Sequence, residues 1–122
     1  RRYDDAAVLF ACKHILWDSK NFDTLYAAHN DITAQGALHV AELFAQNHHF
    51  TALDLSHNRL DDEGGRTLVK MLKGRYSLKV VVAEGNPMSP ETLADIKRVV
   101  VFNSMTEEGQ GLLVAIAGRD DD

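Results

Sequence analysis

Residues 50–72 read FTALDLSHNRLDDEGGRTLVKML. Apolar residues alternate with polar ones through Leu53 and Leu55, then, from Asp62 onward, recur at the spacing of a helix. The stretch therefore predicts a strand over Ala52 to Leu55, a tight turn at Asn58 and a helix from about Asp62 to Lys73. Asp61, Asp62 and Glu63 crowd the start of that helix, where negative charge meets the positive end of the peptide dipoles. Gly74 supplies a C-terminal stop.

The same grammar recurs 28 residues earlier, at Phe22, Leu25, Ala27, Asn30 and Ile32, and 28 residues later, at Leu78, Val81, Ala83, Asn86 and Met88. Each copy fits L-x-x-L-x-L-x-x-N-x-L with apolar exchanges. Asn is six of 122 residues. Three aligned Asn on top of the aligned apolar positions have a chance probability of about 10⁻⁸ on composition alone. The repeat fixes the expected architecture better than any local propensity could.

Outside the middle copy, residues 22–27 are the expected first strand, with Phe22, Leu25 and Ala27 inward. Its helix runs from about Ala34 to Gln46, burying Ala37, Val40, Ala41, Leu43 and Phe44, with Gly36 allowing close approach. The third strand is Lys79 to Ala83. Ser89 caps the third helix and Pro90 sits in its first turn, where no amide is needed. That helix continues its stripe through Leu93, Ile96, Val99 and Val100. Thr92 stands where the other copies have Gly36 and Gly64, which sets the last helix slightly further out. Residues 4–17 form a helix capped by Asp4 or Asp5, with Val8, Leu9, Cys12, Ile15 and Leu16 as its stripe. It is the helical half of a repeat whose strand is missing, so it either caps the array or succeeds a strand in absent sequence. After Asn103 the period fails. TEEGQG reads as a linker and residues 111–118 as a closing fourth strand, with a C-terminal core helix as the alternative; the tail RDDD reads as disordered.

This pattern resembles the leucine-rich-repeat family, and its 28-residue period with a helical second half resembles the ribonuclease-inhibitor-like class. The resemblance covers roughly Asp4 to Asn103. It implies an α/β fold: a short solenoid with a parallel β-sheet on the concave face and helices on the convex face. The chain then divides into a helical half-repeat 4–21, repeats 22–49, 50–77 and 78–105, and a closing segment 106–122, all in a single domain 1–122. It also implies that Asn30, Asn58 and Asn86 form an inner ladder bonded to the neighbouring turns, which are otherwise buried and unpaired.

Such arrays bind proteins. Members of the class include actin-filament capping proteins, components of cilia, Ran-type GTPase-activating proteins and the ribonuclease inhibitor. The implied function is a non-catalytic protein–protein interaction module, as a structural or adaptor subunit of a larger intracellular assembly. The alternative is a regulator of an enzyme such as a small GTPase, or a filament-capping protein. The concave face offers Asp23, Tyr26, His29, Asp54, Ser56, His57, Lys79, Val82 and Glu84 to a partner, with Tyr26 beside Asp54 as the anchor.

The residues themselves bound other chemistry. His29 and His57 share a repeat position and should be neighbours. Two imidazoles begin a zinc site, but three or four ligands are needed; the next rung offers Gly85, with Glu84 the only nearby carboxylate, so solvated polar residues are the simpler reading and no metal or cofactor is expected. His48 and His49 lie at a helix end, where a cation suits the dipole. Cys12 falls on an apolar stripe and reads as a small buried hydrophobe. No Ser-His-Asp set is visible, and Gly64-Gly65 lacks the Lys-Ser or Lys-Thr of a phosphate loop. The expectation is a protein without enzymatic activity. Arg66, Lys70, Lys73 and Arg75 make the second helix basic, which leaves RNA as a weaker partner class. The net charge of −5 opposes a nucleic-acid footprint or an anionic-membrane surface. One cysteine gives no internal disulfide framework and points to a reducing, intracellular compartment. No apolar run is long enough for a transmembrane helix.

Overall fold

The computed structural model describes residues 2–17, 20–75 and 77–117. Its elements are α1 (Asp5–Ala11) continued by a π-helical turn (Cys12–Leu16), β1 (Thr24–Tyr26), α2 (Ala34–Gln46), β2 (Ala52–Asp54), α3 (Asp62–Leu72), β3 (Val80–Val82), α4 (Pro90–Ser104) and α5 (Glu107–Ala117). The three strands form a parallel sheet in the order β1-β2-β3. The register is the 28-residue period: Leu25 pairs with Leu53 and Leu53 with Val81, and the next row is Tyr26, Asp54, Val82. Helices α1 to α4 pack in chain order, each on the next. The fold is thus α/β, with a helix layer on one side of a small parallel sheet.

The core lies between those layers. Ile32, Val40, Leu43, Leu53, Leu55, Leu60, Leu68 and Leu72 are fully buried, and burying each such side chain is worth roughly 1.5–3 kcal/mol. Four helices start the same way. Asp4, Thr33, Asp61 and Ser89 sit in extended conformation and accept the amides of Ala7, Gln35, Gly64 and Thr92 respectively. Each satisfies a donor that the helix leaves open. Two of the caps are themselves tied to the preceding repeat. The Asp5 carboxylate accepts the Thr33 amide at 2.8 Å and the Thr33 hydroxyl, and Asp62 accepts the Ser89 amide at 2.7 Å. That amide, with the Thr92 hydroxyl, holds the Asp62 carboxyl below the usual carboxylate range.

The helices approach closely where side chains are missing. A Cβ on Gly36 would collide with the Asp5 carboxylate, and one on Gly64 would lie 3.3 Å from Ala34 Cα. Thr92, the exception in the third repeat, is buried. Its methyl group fills the space above Gly65, where a Cβ would collide with it.

The asparagine ladder is present. Asn58 Nδ2 donates to the carbonyls of Ala27 (2.9 Å), Leu55 (3.1 Å) and Ser56 (3.1 Å), and its Oδ1 accepts the Ile32 amide at 3.0 Å. Asn86 repeats this one rung on, reaching Leu55 and Ala83 and accepting the amides of Asn58 and Leu60. Asn30 donates to Ala27 and Ala28 and accepts the Tyr3 amide.

Three expectations are corrected. Phe22, placed inward by the alternation, is 48% exposed, whereas Phe50 and Leu78 at the same repeat position are 2% and 1% exposed. It lies on the side of β1 that no strand among the described residues occupies. Ile15 is also exposed, although Cys12 and Leu16 of the same expected stripe are buried; it falls within the π-helical turn, whose extra residue per turn shifts it off the inward face. The segment 106–122 contains no closing strand among its described residues. Residues 107–117 are helix α5, and it is no core helix either, since Leu112, Leu113, Val114 and Ile116 are all exposed. Glu107 and Glu108 in its first turn favour helix, and the Thr106 hydroxyl accepts the Gly109 amide at 3.0 Å. The tail RDDD lies outside the described residues.

Candidate functional site

Strand alternation turns Leu25, Leu53 and Val81 toward the helices and leaves their neighbours on the other face of the sheet. Tyr26 stands out of that face, 73% exposed, and Val80 is 52% exposed at the far strand. Tyr26, Asp54 and Val82 form one row across it. Asp54 is half-buried and already engaged, its Oδ1 accepting the Ser56 amide at 3.0 Å and the Ser56 hydroxyl at 2.7 Å. Ser56 is itself buried. Its amide and hydroxyl fix the Asp54 carboxylate.

Beyond the strand ends the chain turns through His29 and His57, both in the left-handed region at φ 60° and 56°. That conformation costs a residue with a Cβ roughly 1–2 kcal/mol. The amides of His29 and His57 donate to Ser56 (3.0 Å) and Glu84 (2.9 Å), which anchors both turns. The two imidazoles stack with centroids 4.4 Å apart and planes 6° from parallel. The next rung is Gly85, at φ 80°, and a Cβ there would lie 2.7 Å from His57 Cε1. The His57 ring thus lies over the site where a third ring would stand. Among the described residues, no group of three or more His, Cys, Asp or Glu is arranged to hold a metal ion.

The remaining predicted residues lie at the margins. Asp23 is exposed, and its carbonyl accepts the Thr51 amide at 2.7 Å. Glu84 pairs with Lys97 at 2.8 Å, and that bond holds its carboxyl below the usual range. Lys79 Nζ donates to the Asn103 carbonyl at 3.3 Å, toward the last turn of α4. The structure therefore brings together Tyr26, Asp54 and Val82 with the stacked histidines, and sets Lys79 and Glu84 against α4.

Sequence reasoning missed a second feature. An apolar groove of about 490 Å³ opens beside β1, between that strand and α1. Its only sequence signal was the first helix with no strand ahead of it. Cys12 lies at the floor of this groove, and burial, with the Glu42 charge second, pushes its thiol up to about 11. Among the described residues no helix is long and apolar enough to cross a membrane.

Comparison with known proteins bears on the same region. A family model described as Leucine Rich repeat matches residues 46–69, which run from the end of α2 through β2 and the Asn58 turn into α3. Human Protein NLRC5 is 29% identical over 73 residues, 60% of this chain. The aligned stretch spans 4% of the length of that relative. With the asparagine ladder in place and the matched residues centred on it, residues 46–69 carry a leucine-rich repeat, and these findings support a leucine-rich-repeat family for the chain.

Proposed function

We propose that the chain is a non-catalytic protein–protein interaction module that works through the open face of its sheet. The observation that carries this reading is the exposed Tyr26, held in one row with Asp54 and Val82 beside the stacked His29 and His57. A large amphipathic ring on a rigid parallel sheet loses little entropy on contact, and such rings dominate binding energies. The turns at its edge are fixed by the asparagine ladder, so the face is pre-formed rather than assembled by the partner.

In this reading the whole chain is one domain, a short solenoid of the ribonuclease-inhibitor-like class with repeats 22–49, 50–77 and 78–105. Its contact residues are Asp23, Tyr26, His29, Asp54, His57, Val82 and Glu84, with Lys79 at the rim. The role is that of an adaptor or structural subunit in a larger assembly. A photo-crosslinking residue placed at Tyr26, and separately at Lys70 on the exposed side of α3, tests the reading in native extract. Products that form from position 26 and not from position 70 are expected. The reverse pattern would move the contact to the helices and sink the proposal.

A further inference from the structure

We propose that Tyr26 and Asp54 form a seat for an arginine side chain of the partner protein, its guanidinium lying on the Tyr26 ring and donating to Oδ2 of Asp54. The seat belongs to the open face of the sheet and rests on the reading of that face as the contact surface. Position, an uncompensated charge and the apolar frame around that charge specify the occupant.

Asp54 stands between Tyr26 and Val82 in one row of the parallel sheet. Neighbouring strands lie about 4.8 Å apart, and side chains of one row project to the same face. The phenol ring and the carboxylate are therefore within reach of a single bound group. The row lies on the face of the sheet and not at its edge, so the seat is the same whatever flanks β1.

The repeat does not itself require a carboxylate there. Tyr26 and Val82 hold the same repeat position. The chain turns after them through His29 and Gly85 at positive φ, as it does after Asp54 through His57. Asp54 is thus an addition to the scaffold. Its Oδ1 accepts the Ser56 amide at 3.0 Å and the Ser56 hydroxyl at 2.7 Å. Those two bonds fix the carboxylate in one orientation and leave Oδ2 to an outside donor. Among the described residues no Lys, Arg or His nitrogen pairs with Asp54. The other charges at the margins of the face are engaged, Glu84 with Lys97 at 2.8 Å and Lys79 with the Asn103 carbonyl at 3.3 Å. The uncompensated charge in the row is that of Asp54.

The chemistry of the site selects the cation. Asp54 is half-buried, with an aromatic ring on one side and the Val82 isopropyl group on the other. A charge held in this way is screened less than one surrounded by water. Tyr26 is 73% exposed, and an aromatic ring attracts a cation to its face. Arginine meets both demands at once. Its planar guanidinium stacks on a ring while its edge N–H groups reach an acceptor, and it is more weakly hydrated than an ammonium. Lysine brings the charge without the plane. Val80 is 52% exposed and extends the apolar surface beside the row, so an aliphatic residue near the arginine completes the fit. A nucleic acid would set its own phosphate charge against Asp54.

The test selects phage-displayed random short peptides on the intact chain, on Asp54→Asn and on Tyr26→Ala. Asp54→Asn removes the charge and keeps an oxygen for the Ser56 amide and hydroxyl. Peptides with arginine beside an aliphatic residue should be enriched about tenfold over the input on the parent chain and remain near the input on both variants. In a selected peptide, lysine in place of arginine should weaken binding to the parent chain by about threefold, and citrulline, the uncharged isostere, by about tenfold or more. Enrichment that is lost on Tyr26→Ala but favours no arginine would overturn the seat and leave the open face as the contact surface. Enrichment unchanged on both variants would overturn the seat and the open-face reading together. No enrichment on the parent chain would overturn the seat as well. If a variant unfolds, the citrulline peptide on the parent chain still decides the matter, because binding as tight as that of the arginine peptide would sink the proposal.

Discussion

At the scale of the residue, Asn58 is the buried centre of the ladder. One amide group spans two repeats, closing its own turn through Leu55 and Ser56 and reaching back to Ala27 and Ile32. It is buried, so water cannot replace it when it is lost. Asn58→Ala leaves one amide and as many as three carbonyls without this partner, and the expected loss is about 3 kcal/mol or more, read from urea unfolding. Asn30→Ala, at the half-buried end of the ladder, should cost nearer ~1 kcal/mol. Equal losses at the two positions would show that burial does not set the cost. The ladder's existence was legible because Asn recurs with the period. Its bonding to the neighbouring turns came from the family resemblance, and that the reach runs back to the preceding repeat came only from the structure, since spacing fixes which residues align and says nothing of which way an amide points.

At the scale of the element, the helices were the most legible parts and the ends of the sheet the least. Ser89 was read as a cap and Asp61 as a charge at its helix start, α2 spans Ala34–Gln46 as its pattern predicts, and the Thr33 cap came only from the structure. A helix start is local chemistry, so sequence carries most of it. Phe22 was misplaced because the alternation rule assumes a neighbour on both sides, and burial at an edge is decided by what stands next to it. The contact between α3 and α4 is likewise a tertiary matter, set by one methyl group. Gly65→Ala alone should destabilise the chain by about 1–2 kcal/mol, because the collision of the new Cβ with Thr92 Cγ2 outweighs the gain in helix propensity. Thr92→Ser keeps the hydroxyl and removes that methyl. In its background Gly65→Ala should become neutral or stabilising, a coupling of about 1–3 kcal/mol in a double-mutant cycle. Additive effects would mean that the helices do not meet through this pair.

At the scale of the whole molecule, burial is concentrated in the middle repeat and falls toward both ends. Leu53, Leu55 and Leu60 have neighbours on each side, and each is fully buried. A repeat array gains its stability from such nearest-neighbour contacts, so its terminal units are the weakest. The two ends fail in different ways. At β1 an apolar groove opens between the strand and α1, a feature the sequence reading missed. At the other end the period stops, and a short apolar run, expected as a closing strand, carries too little periodicity to fix its type. It is a helix lying outside the core, tied back through Gln110 Nε2 to the Phe102 carbonyl at 2.8 Å, with Leu113 at the lip of a shallow groove shared with Val101 and Met105. An isolated helix of this length is marginal in water, so α5 should add little to the stability of the sheet and of α1 to α4. A chain ending at Met105 is expected to melt within about 3 °C of the parent, with unchanged amide exchange at Leu53 and Leu55. A fall of about 10 °C or more would mean that α5 covers the last repeat as a cap, and that its exposed leucines and isoleucine are the outer surface of the core rather than an apolar face left over from it.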